Sequence, residues 1–242
     1  MDASRQLLLL GTTAWSPASI SGLTSWHRAD KDLFQSNGLT GPATADGDPV
    51  GGWVDQTGNG NHLVQSTGAS RPILKLGVIN GRNAVRFDGT DDFMLRNVQQ
   101  TQGYTFAAVM KYSSTAGLIY LWHNGDASTG HEFLSNSNQL YIQNTSVGNQ
   151  SDGAPGSDVG AWVVRRDVAD GTSLRKDAAN VTLTGASPAM NLPAALMQIG
   201  CYAGGLYPFP GDLAELCIWN RRLTDAEVAL VETYLNLRWA AY

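Results

Sequence analysis

Short apolar runs, interrupted by Gly, Asn, Asp, Ser or Pro, recur along most of the chain and predict many β-strands joined by turns. The run Tyr104–Tyr112 is apolar on both faces when read with the two-residue period of a strand. We therefore expect it to be a central strand of a sheet that is covered on both sides. Residues 35–51 and 144–160 are predicted as loops. The predicted strands are Leu23–Arg28, Ala84–Phe87, Tyr104–Tyr112, Leu118–Trp122, Gln139–Gln143, Ala161–Asp167, Val181–Thr184, Met197–Tyr202 and Leu213–Trp219.

One helix is predicted, near the C-terminal end of the sequence. Thr224 and Glu227 have the spacing of a capping box, in which each side chain bonds the other residue's backbone N–H. Apolar residues follow at helical spacing, so we expect the helix to run to about Arg238 and to cap the domain's edge. Strands and helices do not alternate, which argues against a Rossmann fold or an α/β barrel. The prediction is an all-β, two-sheet antiparallel sandwich at 21–242, preceded by an N-terminal arm at 1–20.

Composition narrows the function classes. The 242 residues suit one large all-β domain, and only 15% of them are charged, with a net charge of −5 and no basic run. Nucleic-acid binding and membrane-surface binding are therefore not expected. The apolar run Leu7–Leu10 is too short for a signal peptide, so we interpret the arm as a docking segment. Cys201 and Cys217 are interpreted as two small buried residues, although their strands leave a disulfide open.

The run "WVDQTGNGNHLVQ" at 53–65 raises the question of a phosphate or metal loop. It lacks the Lys and Ser/Thr of a P-loop and the alternating acids of an EF-hand. We interpret it as a tight turn, in which Gly58 and Gly60 supply positive φ angles and Asn59 and Asn61 tolerate left-handed conformations.

The acidic run "RFDGTDDFM" at 86–94 leaves two interpretations open. Asp88, Asp91 and Asp92 crowd a strand end, and three carboxylates this close could hold Ca²⁺. They could equally cap a turn, because Asp-Gly is a common turn former. Asp55 could join a metal site from a neighbouring strand.

The sequence contains no convincing set of catalytic residues. A glycosidase usually needs two carboxylates in a cleft, and the candidate pair here is Glu132 with Asp126. No strand carries a row of carboxylates, no G-x-S-x-G elbow is present, and none of the four histidines forms a zinc motif. We therefore expect a protein that is not an enzyme.

Aromatic residues at strand ends give the better clue to function. Sugars present apolar C–H faces, which Trp or Tyr rings cover while their polar atoms find partners. The predicted ligand-binding residues are Trp122, His123, Tyr141, Tyr202 and Tyr207. Four other tryptophans are predicted to lie in the core: Trp15, Trp26, Trp53 and Trp219.

Several segments, taken in order, resemble laminin-G-like jelly-roll domains of the concanavalin A-like lectin/glucanase superfamily. They are "ISGLTSWHRADKD", "GGWVDQTGNGNHLVQSTGASRPIL", "NGRNAVRFDGTDDFM" and "GDLAELCIWNRRLTDAEVALVETYLNLRW". The resemblance covers most of the chain from about Gly22 and implies two packed sheets, with the 53–65 run as a turn between early strands. It also implies carbohydrate or protein binding and, in some members, Ca²⁺. The matching acidic positions are Asp55, Asp88, Asp91, Asp92 and Asp212.

The short arm ahead of such a domain is similar to structural proteins of tailed bacteriophages. The resemblance implies a non-enzymatic virion protein, used in capsid decoration, a tail or a fibre. It would self-assemble, dock on other virion proteins and present loops to host surface glycans. The alternatives are an extracellular bacterial carbohydrate-binding module and a glycoside hydrolase of the same superfamily.

Overall fold

The computed structural model describes residues 15–96, 103–114, 117–124, 131–136, 139–144, 147–151, 156–167, 169–185 and 197–242. Three short 3-10 turns occupy Pro17–Ser19, Gly68–Ser70 and Ala203–Gly205. The strands are β1 Leu23–Arg28, β2 Leu33–Phe34, β3 Gly52–Trp53, β4 Leu63–Val64, β5 Ile73–Ile79, β6 Arg82–Asp88, β7 Met94–Arg96, β8 Tyr104–Tyr112, β9 Leu118–Asn124, β10 His131–Asn136, β11 Gln139–Asn144, β12 Val147–Ser151, β13 Gly160–Asp167, β14 Gly171–Lys176, β15 Ala179–Val181, β16 Leu183–Thr184, β17 Met197–Ile199 and β18 Pro210–Trp219; the helix is α1 Asp225–Trp239.

The strands form two antiparallel sheets. An eight-stranded sheet has the order β15-β14-β13-β8-β18-β6-β5, with β1 also paired to β18. A ten-stranded sheet has the order β16-β12-β11-β10-β9-β17-β7-β4-β3-β2. Their facing side chains form one core, in which the Phe106 ring of the first sheet stacks on the Trp122 ring of the second at 5.4 Å. The predicted two-sheet jelly-roll sandwich with a C-terminal helix is confirmed.

The central position of Tyr104–Tyr112 is also confirmed. This strand, β8, pairs with β13 on one side and β18 on the other. Its inward residues join the core between the sheets, and its outward residues, Ala107 and Val109, join a second core beneath α1. Both faces are buried, which explains why the sequence lacks the alternation of a half-exposed strand.

The helix begins as predicted but lies elsewhere on the domain. Thr224 and Glu227 form the capping box, and the helix ends at Trp239. The prediction that it caps the domain's edge is wrong, because α1 lies across the outer face of the eight-stranded sheet. There Val231 and Leu235 pack against the apolar outer side chains of β8 and β13.

Two other expectations change in detail. The predicted loop 144–160 contains strand β12, whose polar sequence carries little strand signal but pairs with β11 and β16. Residues 15–20 of the predicted arm lie on the domain, with the Trp15 ring 5.7 Å from that of Tyr234. The rest of the arm falls outside the described residues.

The remaining core predictions agree with the structure. Cys201 and Cys217 are free and buried. Trp26, Trp53 and Trp219 are buried, and Trp15 packs partly buried against the core under α1. Within the described part of the chain, no helix is long and apolar enough to cross a membrane.

Candidate functional site

A β-bulge in β9 decides which side chains reach the outer face of the ten-stranded sheet. Phe133 of β10 lies opposite Trp122, but Leu134 lies opposite Tyr120, so Leu121 is an extra residue. Leu121 and Trp122 consequently both face the core. Tyr120 and His123, on either side of the bulge, face outward, where they meet the loop that follows β17.

Three tyrosine rings meet on this outer face. The Tyr120 ring lies 4.8 Å from the Tyr202 ring and stacks on the Tyr207 ring at 5.9 Å. Tyr120 is almost buried, whereas the Tyr207 side chain is 47% exposed. We call Tyr120, Tyr202, Tyr207 and the adjacent His123 the tyrosine cluster; its exposed edge is an aromatic surface beside open solvent.

A row of polar side chains runs across the strands beneath the cluster. Glu132 of β10 pairs with His123 of β9, which pairs in turn with Gln198 of β17. The His123 ring lies 4.5 Å from the Tyr202 ring in an edge-on arrangement. Glu132 is buried and hydrogen bonded to the Tyr120 hydroxyl. Burial, reinforced by the negative charge of Glu132, raises the pKa of Tyr120 above its ordinary value.

The loop that carries Tyr202 and Tyr207 is held firmly in place. The Gln198 side-chain oxygen accepts from the Gly204 N–H at 3.0 Å, and the Tyr120 N–H donates to the Tyr207 carbonyl at 3.0 Å. Tyr207 has φ +50°, in the left-handed region that a residue with a large side chain rarely occupies. Backbone strain of this kind is often found at functional sites, and here it holds an exposed aromatic ring.

The five residues predicted to bind a ligand occupy different places. His123, Tyr202 and Tyr207 come together in the cluster. The Trp122 ring is buried in the core against Phe106 and therefore faces away from the cluster, because the bulge turns it inward. Tyr141 of β11 lies on the same outer face as Tyr120 but two strands away, with Leu134 between them in the register.

The sequence reasoning missed Tyr120 and the role of Gln198, and it considered Glu132 only as a catalytic acid. Strict alternation along β9 places Tyr120 with Trp122 and apart from His123. Only knowledge of the bulge reverses this grouping, and the sequence of β9 contains no glycine that would mark it.

The run at 53–65 is a turn built around Asp55. Its carboxylate accepts hydrogen bonds from the backbone N–H groups of Trp26, Thr57 and Asn61. Gly58 and Gly60 have the predicted positive φ angles. Asn59 and Asn61 do not have positive φ angles, and both side chains donate to backbone carbonyls of β1, which ties the turn to the other sheet.

The three acidic residues predicted to bind calcium do come together. One carboxylate oxygen from each of Asp88, Asp91 and Asp92 lies within 4.8 Å of the others. Asp92 accepts from the Asp88 N–H at 2.9 Å, and Asp88 accepts from the Thr90 N–H at 2.7 Å, as in a capped turn. Burial, followed by the charges of Asp88 and Asp91, raises the pKa of Asp92 to about 6. Calcium at this turn stays a prediction.

Asp212, the other acidic position implied by the resemblance, is paired within the protein. Its two carboxylate oxygens accept from Arg86 at 2.7 and 2.9 Å. Asp126, the partner considered for Glu132 in a hydrolase, lies outside the described residues. His27 is fully buried, and burial lowers its pKa to about 3.

A second buried glutamate lies on the opposite side of the sandwich. Glu215 of β18 is covered by α1 and accepts from the indole N–H of Trp26 at 2.6 Å and from the Tyr234 hydroxyl at 2.9 Å. The Trp239 indole N–H donates to its other oxygen. Burial raises the pKa of Glu215, while these hydrogen bonds and Arg238 act in the opposite direction. This arrangement fastens the helix to the sheet.

Two clefts lie away from the tyrosine cluster. One, of about 360 Å³, lies beside β2 and is lined by Leu33, Phe34, Asp30 and Asp32 among others. Its Asp30 carboxylate is already bonded to Arg28 and Arg238. The other, of about 490 Å³, lies at the N-terminus of α1, where Arg165 is bonded to Asp225. Since their main charged groups are paired internally, neither cleft matches the tyrosine cluster as a site.

Comparison with known proteins identifies the fold. No family model matches the sequence, and no curated protein sequence matches it. The structure is similar to Trypanosoma rangeli sialidase in complex with the inhibitor DANA, with 13% identity, 95% of this chain and 36% of that chain covered, and a TM-score of 0.61.

Two further structures are similar over a comparable extent. A botulinum neurotoxin type C structure, described with cell entry dependent upon interaction with two ganglioside molecules, has 10% identity, coverage of 91% of this chain and 53% of that chain, and a TM-score of 0.61. A mutant of HCR/D has 9% identity, coverage of 90% and 52%, and a TM-score of 0.63. This chain therefore spans about a third to a half of these proteins, and it shares with them a lectin-like jelly-roll fold.

Proposed function

We propose that this protein is a non-enzymatic glycan-binding jelly roll and that the tyrosine cluster is its binding site. The observation that carries the proposal is the exposed Tyr207 ring, which is held in a strained backbone conformation, stacked on Tyr120 and tilted against Tyr202. Tyrosine rings suit the C–H faces of sugars, and their hydroxyl groups can exchange hydrogen bonds with sugar hydroxyls. Tyr141, on the same face, would extend the surface for a longer glycan.

The structural neighbours support a glycan ligand without defining a site. One was solved with a sialidase inhibitor and another is described with ganglioside molecules. At 13% and 10% identity their likeness is one of fold, and function depends on the residues placed on a fold. The assignment of the site therefore rests on the side chains of this chain.

The finer proposal is that the jelly roll is a surface module of a bacteriophage virion. It rests on the laminin-G-like segments and on the short arm, 1–20, that precedes the domain. Self-assembly would join several weak sites and raise the avidity about 10²–10⁴-fold. Deleting residues 1–14, which leaves Trp15 and Ile20 packed on the domain, should abolish incorporation into particles while the domain stays folded by circular dichroism. Normal incorporation of the truncated protein would contradict arm docking.

Absence of catalysis is also part of the proposal. Glu132 is buried beneath the tyrosine rings and hydrogen bonded to one of them, which suits a supporting role. Incubation with bound polysaccharides, followed by chromatography, should give no shorter products. Cleavage that disappears in Glu132→Gln would replace the binding proposal with the hydrolase alternative.

The direct test uses substitutions of Tyr207. Calorimetric titration of the wild type with oligosaccharides should give binding that Tyr207→Ala and Tyr207→Gly each weaken at least about tenfold, the expected loss of one stacked ring. Glycine accepts a positive φ, which offsets the lost packing of the ring, so Tyr207→Gly should unfold at a temperature close to that of the wild type. Lost binding cannot then be attributed to unfolding.

Tyr242→Ala is the matched control, because the Tyr242 side chain is equally exposed, at 48%, but lies beyond α1. Binding should be unchanged in this variant. Equal binding by wild type and both Tyr207 variants would rule out the tyrosine cluster as the site.

A further inference from the structure

The chain segments that build the glycan-binding face contain no lysine or arginine. Neither lysine nor arginine occurs between Lys111 and Arg165, or between Lys176 and Arg221. These two intervals supply β9, β10, β11, β12, β16 and β17 and all the loops that join them directly. They also contain every residue of the tyrosine cluster. Because the gap is a property of the sequence, it holds for every residue of the two intervals.

The basic residues elsewhere in the ten-stranded sheet are already engaged. Arg96 of β7 is fully buried and donates to the Thr24 hydroxyl at 2.9 Å, toward the other sheet. Arg71 lies beyond the cluster, near β3, and donates to the backbone carbonyls of Gln35, Gln65 and Ser66. Among the described residues of the cluster, His123 alone could carry a positive charge, and its side chain is fully buried.

The nearest carboxylate lies directly beneath the cluster. Glu132 lies in the row beneath it, buried and hydrogen bonded to Tyr120, whose ring stacks directly on Tyr207. In its ionised form, a buried carboxylate is poorly screened by solvent and repels an anion on the outer side of the rings. Proteins that hold a sugar carboxylate or phosphate usually pair it with arginine, which offers a fork of donors.

We propose that the tyrosine cluster selects neutral glycans and discriminates against sialylated and other anionic glycans. This selectivity rests on the proposed glycan-binding function. It sets the chain apart from the neighbours described with a sialidase inhibitor and with gangliosides, although the fold is shared. An uncharged sugar needs only ring stacking and hydroxyl hydrogen bonds, both of which the cluster offers, whereas an anionic sugar would need a lysine or arginine, which these segments lack.

The test uses pairs of glycans that differ only in charge. Lactose and N-acetyllactosamine are compared with their sialylated counterparts, and cellobiose and maltose extend the neutral set. Titrations of the whole chain are made at low and at physiological salt. Each sialylated glycan should bind at least about tenfold more weakly than its neutral parent, and the difference should shrink as salt rises.

Glu132→Gln identifies the source of the discrimination. Glutamine keeps an oxygen to accept from Tyr120 but removes the charge, so the affinity for each sialylated glycan, measured relative to its neutral parent in the same variant, should rise several-fold. Asp170→Asn is the control, because it removes an exposed carboxylate from the loop between β13 and β14, and it should leave both classes unchanged.

The outcomes separate the selectivity from the function. Equal or tighter binding of the sialylated glycans at the tyrosine cluster would overturn the neutral selectivity and leave the glycan-binding function standing. Absence of binding to every glycan in both sets would overturn the function itself. An unchanged preference in Glu132→Gln would contradict the role of the buried carboxylate.

Discussion

Two fully buried glutamates, one on each sheet, differ in what covers them. Glu215 lies under α1 and accepts from two indole N–H groups and a tyrosine hydroxyl that are themselves buried. Glu132 lies under a loop whose Tyr207 ring remains half exposed. Burial of a carboxylate among aromatic residues therefore does not identify a binding site. The two sites differ in solvent exposure: the aromatic residues around Glu215 are all buried, whereas the Tyr207 ring above Glu132 reaches solvent.

The largest expected effect is on stability, and it comes from substitution of Glu215. Glu215→Gln leaves one carbonyl oxygen for three donors and adds an N–H₂ group that faces them. We expect the free energy of unfolding to fall by about 3 kcal/mol. Urea denaturation followed by tryptophan fluorescence measures it. Glycan binding by the folded variant should equal that of the wild type, and a loss of binding would mean that the two sides of the sandwich are coupled.

The matched change on the other sheet should cost less. Glu132→Gln keeps an acceptor for the Tyr120 hydroxyl, so we expect a fall of only about 1 kcal/mol in the free energy of unfolding. The same urea experiment compares the two variants directly. If Glu132→Gln were as destabilising as Glu215→Gln, Glu132 would have a structural role like that of Glu215. The proposed contrast between the two faces would then be wrong.

Asp92 is a third buried carboxylate with a different environment. Its neighbours are a backbone N–H group and two other carboxylates, where the two glutamates have aromatic donors. Its pKa of about 6 in the folded protein exceeds the value of about 4 for an unfolded chain, so the folded state favours the protonated form. The stability from this group is present below about pH 4 and is lost as the pH rises through about 6. Asp92→Asn should therefore be slightly more stable than the wild type at pH 7.5, by less than about 1 kcal/mol, and this advantage should vanish by pH 4.

Thermal unfolding across this pH range tests the Asp92 prediction, and a constant difference between the two proteins would refute it. The same pair decides the calcium prediction. An ion held by Asp88, Asp91 and Asp92 would raise the unfolding temperature of the wild type but not that of Asp92→Asn.

The sequence predicts the elements whose own pattern is strong. The central strand Tyr104–Tyr112, the capped helix and the turn at 53–65 each carry a local signal, and each is found in the structure. Strands such as Val147–Ser151 carry none, because their hydrogen bonds come from neighbours distant in sequence.

The candidate site could be predicted only in part. Tyr202 and Tyr207 flank a glycine-rich loop that can be recognised directly in the sequence. Their contact with Tyr120 and His123 depends on the bulge at Leu121, which also turns Trp122 into the core. A single extra residue moves all the following side chains of a strand to the opposite face of the sheet. The alternation of residue types does not reveal where such a residue lies.

The central claim is that glycans bind at the tyrosine cluster, and tyrosine-selective NMR tests it most directly. The eight tyrosines of the chain give separate ring signals when tyrosine alone is ¹³C-labelled, and single Tyr→Phe variants assign them. Titration with the tightest-binding neutral oligosaccharide should shift the signals of Tyr207 and Tyr202 most and those of Tyr234 and Tyr242 least. Shifts confined to Tyr234 and Tyr242, or the absence of any shift at Tyr207 at saturation, would contradict the account.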